Sequence, residues 1–180
     1  KRQPEVIANM EKAGKGVAIA GFGPLVERLE MNMTDPSPSL DADTRSTRKA
    51  PHPFLTDINV RKALSMAIDR PLLVEIGYGK AGDVTCDLVP APDLYAAKNT
   101  HCLKQDIAGA NALLEKAGWK KGSDGIRAKD GVKLSILYQT STNAVRQDFQ
   151  ALIKEWWQQI GVETELRNLN ASVFFGGDPG

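Results

Sequence analysis

Side chains that ligate metals or carry redox chemistry are scarce in this sequence. Its 180 residues include two cysteines and two histidines. Neither Cys86 nor Cys102 sits in a Cys-x-x-Cys pair, so the ligand spacing of a zinc site is missing and no metal is expected. No apolar run approaches the roughly 20 residues that a membrane-spanning helix needs. Charge of one sign is not in excess: 23 basic against 22 acidic residues leave a net +1. That balance gives neither the basic footprint of a nucleic-acid binder nor a polybasic membrane patch. The opening Lys1-Arg2-Gln3-Pro4-Glu5 is charged and lacks the apolar stretch of a signal peptide, so none is expected. Gly-x-Ser-x-Gly, His-Arg-Asp and Asp-Phe-Gly are all absent, and no internal repeat is visible.

What remains is ordinary globular material, 42% hydrophobic and 25% charged, long enough to bury one substantial core. The strongest local signal is Pro53–Gly82. Val60, Ala63, Leu64, Ala67 and Ile68 recur at helical spacing, after Thr56 or Asp57 as N-cap. Pro71 breaks that helix and suits the first turn of a second, which carries Leu72, Leu73 and Ile76 and ends at glycines. A short helix is expected over Pro4–Ala13. Strands are expected over Gly16–Gly21 and over Leu25–Met33, where apolar and polar residues alternate. Thr34–Pro53, rich in Pro, Asp, Ser and Thr, reads as a long exposed loop (34–53), and Asp83–Lys104 as a second irregular stretch.

Further on, Asp106 caps a helix to about Ala117, closed by Gly118, with Ile107, Ala110, Leu113, Leu114 and Ala117 on one face. Val132–Tyr138 reads as a strand. Asn143–Ile160 is the longest helix, striped by Val145, Phe149, Leu152, Ile153, Trp156 and Ile160. Gly161 ends it, and Val162–Leu169 is a strand. Strand, long helix and strand make a βαβ-like unit, so the fold class is α/β. Trp156 and Trp157 are adjacent and face different ways, so one is expected in the core and the other either partly exposed or packed on a neighbouring element.

Several motifs carry two readings. Gly77-Tyr78-Gly79-Lys80-Ala81-Gly82-Asp83-Val84 matches a phosphate-binding glycine loop, but it follows a helix rather than a strand, so a helix C-cap is the better reading. The close carboxylates Glu27 and Glu30, and Asp41 and Asp43, have no nucleophile or histidine in view and read as solvated charges. No catalytic residue is assigned. His52, between prolines, reads as structural. Asn32-Met33-Thr34 and Asn170-Ala171-Ser172 match the glycosylation triplet, which matters only in a eukaryotic secretory pathway. Gln139-Thr140-Ser141-Thr142-Asn143 is either a polar ligand-facing loop at the carboxyl end of a strand or simply the cap of the following helix.

The order of four segments carries a resemblance. Val60-Arg61-Lys62-Ala63-Leu64 with Ala67-Ile68-Asp69-Arg70 and Tyr78-Gly79-Lys80-Ala81, then Asp106–Trp119 (DIAGANALLEKAGW), then Gly122–Leu134, then Arg146–Leu166 with Ile160-Gly161-Val162, together resemble periplasmic solute-binding proteins of ABC importers, in the peptide/nickel class (family 5). The resemblance implies one lobe of a type II periplasmic-binding fold, a mixed sheet flanked by helices. Residues 1–180 would then be a single α/β lobe, the second, excised from a longer two-lobe protein. It implies capture of peptides or similar small polar solutes between this lobe and a first lobe of the same protein. It also implies delivery to ABC permease subunits in the membrane, a periplasmic location, no nucleic-acid partner and no cofactor. Export makes a Cys86–Cys102 disulfide the expected pairing, the alternative being two free thiols. The cleft surface is expected at the Gly21-Phe22-Gly23-Pro24 loop, at Glu30 and Asn32, and at Gln139, Thr140, Ser141, Thr142 and Asn143. Both loops would emerge from one sheet edge. Rival readings are a nucleotide-dependent transferase using the Gly77–Gly82 loop and a periplasmic chaperone or adaptor.

Overall fold

A computed structural model describes residues 3–19 and 21–176; Ala20, Lys1 and Arg2, and the closing Gly177–Gly180 run lie outside it. The elements in chain order are α1 (Gln3–Lys12), α2 (Ile58–Met66), α3 (Arg70–Gly77), a 3-10 turn (Gly79–Ala81), α4 (Ile107–Lys116), β1 (Lys120–Lys121), β2 (Arg127–Lys129), β3 (Val132–Lys133), β4 (Ser135–Ser141), α5 (Ala144–Gln159), β5 (Glu163–Leu169) and α6 (Ala171–Phe174). The fold is α/β, with its antiparallel and parallel strands in two sheets. β1, β2 and β3 form a small antiparallel meander, and β4 pairs with β5 in parallel from Ser135↔Glu163 to Ser141↔Leu169.

Helix starts follow from side-chain chemistry. Asp57, Asp69, Asp106, Asn143 and Asn170 each accept a backbone N–H two or three residues on, opening α2 to α6. Each such cap satisfies a donor that the helix leaves unpaired and contributes about 1 kcal/mol. α2 and α4 pack closely because Ala63, Ala67 and Ala110 are small where the two meet; all three are fully buried. α5 lies between this helical layer and the β4–β5 pair, and one continuous core runs from Phe54 to Val162. Parallel strands are stable when both faces are covered, and their crossover here is α5.

That sandwich decides between the two readings of the tryptophan pair. Trp156 and Trp157 are both buried, and the Trp157 indole donates to the Leu64 carbonyl of α2 at 3.1 Å. With a layer on each side of α5, neighbouring positions both meet protein. Gly77 shows the same closeness: a Cβ there would sit 2.5 Å from the Phe149 ring of α5. The Gly77–Gly82 run is therefore the end of α3 and a 3-10 turn, with no strand leading into it as a phosphate loop requires.

The expected strands at Gly16–Gly21 and Leu25–Met33 do not form. Across their described residues no strand is formed, and Val17, Ile19 and Leu25 are more than four-fifths exposed; at the far end Met33 O accepts the His52 N–H at 2.9 Å. Alternation supplies a pattern but not a neighbouring strand, and a ladder needs both. The segment ends at an isolated bridge between Thr34 and Pro51. Between those residues the chain folds into turns tied by Asp35 N–H to Ala50 O and Ser46 N–H to Asp35 O, each at 2.8 Å. His52 is structural: its Nδ1 accepts the N–H groups of Phe54 and Leu55, and burial lowers its pKa.

Cys86 and Cys102 form a disulfide with Cα atoms 5.6 Å apart. Inside the loop it closes, the Asp87 carboxylate accepts the N–H groups of Lys98 and Asn99 at 2.8 and 3.0 Å. Arg70 anchors the loop to the helices by donating to the carbonyls of Ser65 and Cys102.

Candidate functional site

Because β4 and β5 are parallel, both release the chain at the same end. Thr142 N–H donates to Leu169 O at 2.9 Å, which extends the ladder one step beyond Ser141. Asn143 then caps α5 through Arg146 N–H at 3.2 Å, and Asn170 caps α6 through Ser172 N–H at 3.0 Å. In open α/β sheets this carboxyl end is where ligands sit. Beneath it, Gln150 of α5 is fully buried and bridges the two strands. Its Nε2 donates to Tyr138 O at 2.9 Å, and its Oε1 accepts from the Asn168 side chain at 2.6 Å.

The polar run predicted as a loop is partly strand. Gln139, Thr140 and Ser141 belong to β4, and Thr140 and Ser141 are buried. Their hydroxyls are therefore not presented to solvent; the strand continues because β5 supplies partners as far as Leu169. Gln139 is half-buried, and Thr142 and Asn143 are exposed. Phe22 is exposed, Glu30 pairs with Arg28 at 2.8 Å, and Asn32 spends its Oδ1 on the N–H and hydroxyl of Thr34. The Gly21–Pro24 loop follows no strand, so it does not leave the sheet edge that Gln139–Asn143 occupies. Among the described residues, no hydrogen bond or ion pair joins Phe22, Glu30 or Asn32 to that edge.

What does join the extended segment to the edge is an ion pair that sequence reasoning missed. Arg146, in the first turn of α5, donates from Nε and Nη2 to the two Glu27 oxygens at 3.2 and 3.0 Å. The side chains are 31% and 40% exposed, so solvent screening limits the pair to about 0.2–1 kcal/mol. The Arg146 guanidinium also lies 5.7 Å from the centre of the Phe175 ring, a cation–π distance. Tyr78 and Tyr138 stand behind the pair. Burial, reinforced by the Glu27 carboxylate, pushes both phenols up to about 12. Nothing in the spacing of Glu27, Tyr78, Tyr138, Arg146 and Phe175 signals this meeting, because it depends on how α3, α5 and the extended segment pack.

Comparison with known proteins identifies the family. A family model for bacterial extracellular solute-binding proteins, family 5 (middle region), matches residues 2–178. The chain belongs to that family. It is similar to the periplasmic murein peptide-binding protein MppA of Escherichia coli K12, 32% identical over 131 residues, covering 68% of this chain and 22% of the relative. Among solved structures it is similar to the oligopeptide-binding protein AppA of Bacillus subtilis in complex with a nonapeptide (TM-score 0.61, 29% identity, 69% of this chain and 25% of that one). It is also similar to NikZ of Campylobacter jejuni in complex with Ni(L-His) (TM-score 0.62, 28% identity, 68% and 25%). The chain thus spans about a fifth to a quarter of the length of these relatives. These family-5 neighbours are binding proteins, and the nucleotide-transferase reading has no support among them.

Proposed function

We propose that this chain is a ligand-binding lobe of an ABC-importer substrate-binding protein. It would work outside the cytoplasmic membrane, in the periplasm, and capture a peptide or similar small polar solute. The solute would lie in a cleft between this lobe and a first lobe of the same protein, and the closed form would be handed to ABC permease subunits. The observation that carries the reading is the carboxyl end of the parallel β4–β5 pair, where Thr142, Asn143, Arg146 and Asn170 collect polar groups on a rigid floor made by Gln150. Phe22, Glu30, Asn32 and Gln139 complete the proposed cleft surface. Capture by lobe closure needs hydrogen bonds and shape, and no bond-making step. Relatives with a nonapeptide and with Ni(L-His) on one scaffold support a division of labour: the fold supplies two closing lobes, and a few side chains choose the cargo.

The test is native mass spectrometry of the protein in its complete form, isolated without added ligand, followed by return of the released solute to the stripped protein. A bound small solute that raises the melting temperature on return is expected, since a ligand of the native state stabilises by mass action. Replacing Gln139 and Thr142 by Ala should then weaken binding about tenfold, roughly 1.4 kcal/mol. A stripped protein unmoved by its own co-purified solute, or by peptides and nickel chelates supplied at millimolar concentration, overturns the reading.

A further inference from the structure

Leu88, Val89, Leu94 and Tyr95 are exposed together on the loop that the Cys86–Cys102 disulfide closes, Leu94 at 84% and Tyr95 at 69%. A single exposed leucine is ordinary on a protein surface. Large apolar side chains concentrated in one short run, Leu88–Tyr95, form a patch, and such patches mark contact sites. Want of order does not explain this one. The disulfide fixes the base of the loop, and the Asp87 carboxylate holds the returning limb through the N–H groups of Lys98 and Asn99. Nearer the tip, Tyr95 N–H donates to Pro92 O at 2.9 Å and Ala96 N–H to Asp93 O at 3.3 Å. Pro90 and Pro92 each fix a backbone φ. The loop therefore keeps its shape while these side chains stay in solvent.

Charge and size restrict what can cover it. Between Lys80 and Lys98 the chain has no basic residue, but it carries Asp83, Asp87 and Asp93, so an anionic lipid surface would repel it. The Leu88–Tyr95 run itself holds a single charge, Asp93; few charges beside an aromatic is the composition of the centre of a protein contact. Four such side chains fall well short of the roughly 20–30 residues a side that a stable complex of separate proteins buries. Within one polypeptide a small contact suffices, because the tether holds the two surfaces at an effective concentration on the order of millimolar. The chain spans 22–25% of the length of the relatives described above, so most of a polypeptide of that length lies outside the matched region. Resting on the two-lobe reading of the proposed function, we infer that the Leu88–Tyr95 tip is a preformed packing face for the part of the same polypeptide outside residues 1–180, its first lobe. The disulfide and the Asp87 bonds set the shape of the face in advance, so covering it orders few further groups. The face serves the assembly of the two lobes and not the choice of solute.

The experiment uses the complete protein as purified. Hydroxyl-radical footprinting of the wild type compares Leu88, Leu94 and Tyr95 in native protein and in concentrated urea. Modification of Leu94 and Tyr95 at least tenfold slower in the native protein is expected. Rates within about twofold of those in urea, which their exposure in residues 1–180 alone would give, overturn the proposal. A photoreactive p-benzoylphenylalanine in place of Tyr95 then identifies the occupant by sequencing of the cross-linked peptides. Cross-links are expected within one polypeptide, to peptides outside residues 1–180, in a yield unchanged by tenfold dilution. Cross-links between copies, or only to residues inside 1–180, overturn it. Return of the co-purified solute to the stripped protein reads the transport proposal separately. Solute binding without protection of Leu94 and Tyr95 sinks the packing face and leaves transport standing; protection and the expected cross-links without solute binding do the reverse.

Discussion

Arg127 offers the sharpest test of how the lobe is held together. It is 3% exposed. Its Nε donates to Ile160 O at 2.9 Å, Nη1 to Trp119 O and to Glu115 Oε2, and Nη2 to Asn111 Oδ1 at 2.9 Å. One side chain thus ties α4, the meander and the α5–β5 turn. Arg127→Met keeps much of the volume and removes every donor. The carbonyls of Ile160 and Trp119 and the Asn111 amide oxygen are then left without their partner, at about 1–3 kcal/mol for each one that stays buried. Allowing for relaxation and the added apolar burial, the expected loss is about 3–4 kcal/mol. At about 2–4 °C per kcal/mol for a chain of this size, the melting temperature should fall by about 10 °C. Glu115→Gln removes the carboxylate that pairs with the buried guanidinium, so it should also lower stability, but by less than Arg127→Met, because the three buried oxygens keep their donors and Gln keeps an acceptor. Gly161→Ala probes the same junction: its φ of +81° disfavours a side chain, and the new Cβ would lie 2.7 Å from Arg127 Cγ. The left-handed conformation alone costs about 1–2 kcal/mol for a non-glycine residue. Urea unfolding followed by tryptophan fluorescence reads all of these, since Trp119, Trp156 and Trp157 are buried in one core. A loss below about 1 kcal/mol for Arg127→Met, or equal losses for Arg127→Met and Glu115→Gln, would refute the carbonyl-satisfaction argument.

Two further outcomes follow from the same structure. Closing the 16-residue separation between Cys86 and Cys102 contributes about 3 kcal/mol by chain entropy, so Cys86→Ser with Cys102→Ser should lower the urea midpoint and make the Asp83–Lys104 backbone exchange faster; equal midpoints for oxidised and reduced protein would count against it. Tyr78 and Tyr138 ionise near pH 12 in the folded chain against an ordinary 10.0, so the native state holds protons that the unfolded state has lost. Their stabilisation is complete below pH 10 and is lost as pH rises toward 12. Unfolding measured from pH 8 to 12 should show this decline, and Tyr78→Phe with Tyr138→Phe should flatten it; an unaltered decline in the double variant would show that other groups cause it.

The parts of the fold that sequence revealed are those decided locally. Asp106 caps its helix as expected, Asp57 is the one of its two candidates that caps, and Asn143 does cap α5, because a cap involves a side chain and a backbone N–H only two or three residues away. Family resemblance gave the Cys86–Cys102 pairing that residue spacing alone left open. The failures lie where a distant partner decides. Leu25–Met33 alternates like a strand but finds no ladder, while Thr140 and Ser141 look like loop and become strand because β5 reaches them. Of the two places open to the second tryptophan, packing on a neighbouring element is the one realised: Trp157 is buried against α2, whose Leu64 carbonyl accepts its indole N–H.

The two arginines make the same point about function. Arg127 and Arg146 are alike in sequence terms: each lies in one of the four segments that carry the family resemblance, and nothing in the neighbouring residues marks its role. Packing separates them. Around Arg127 the carbonyls converge from three elements and exclude water, so its charge is committed to the architecture. Around Arg146 there is one carboxylate from a segment with no strand partner, an aromatic platform and open solvent, so its charge remains available. A binding site on this scaffold is therefore distinguished less by which residues it contains than by which of their hydrogen-bonding capacities the fold leaves unspent. Specificity can drift by exchanging a few such side chains without disturbing the capped helices and the parallel strand pair beneath them.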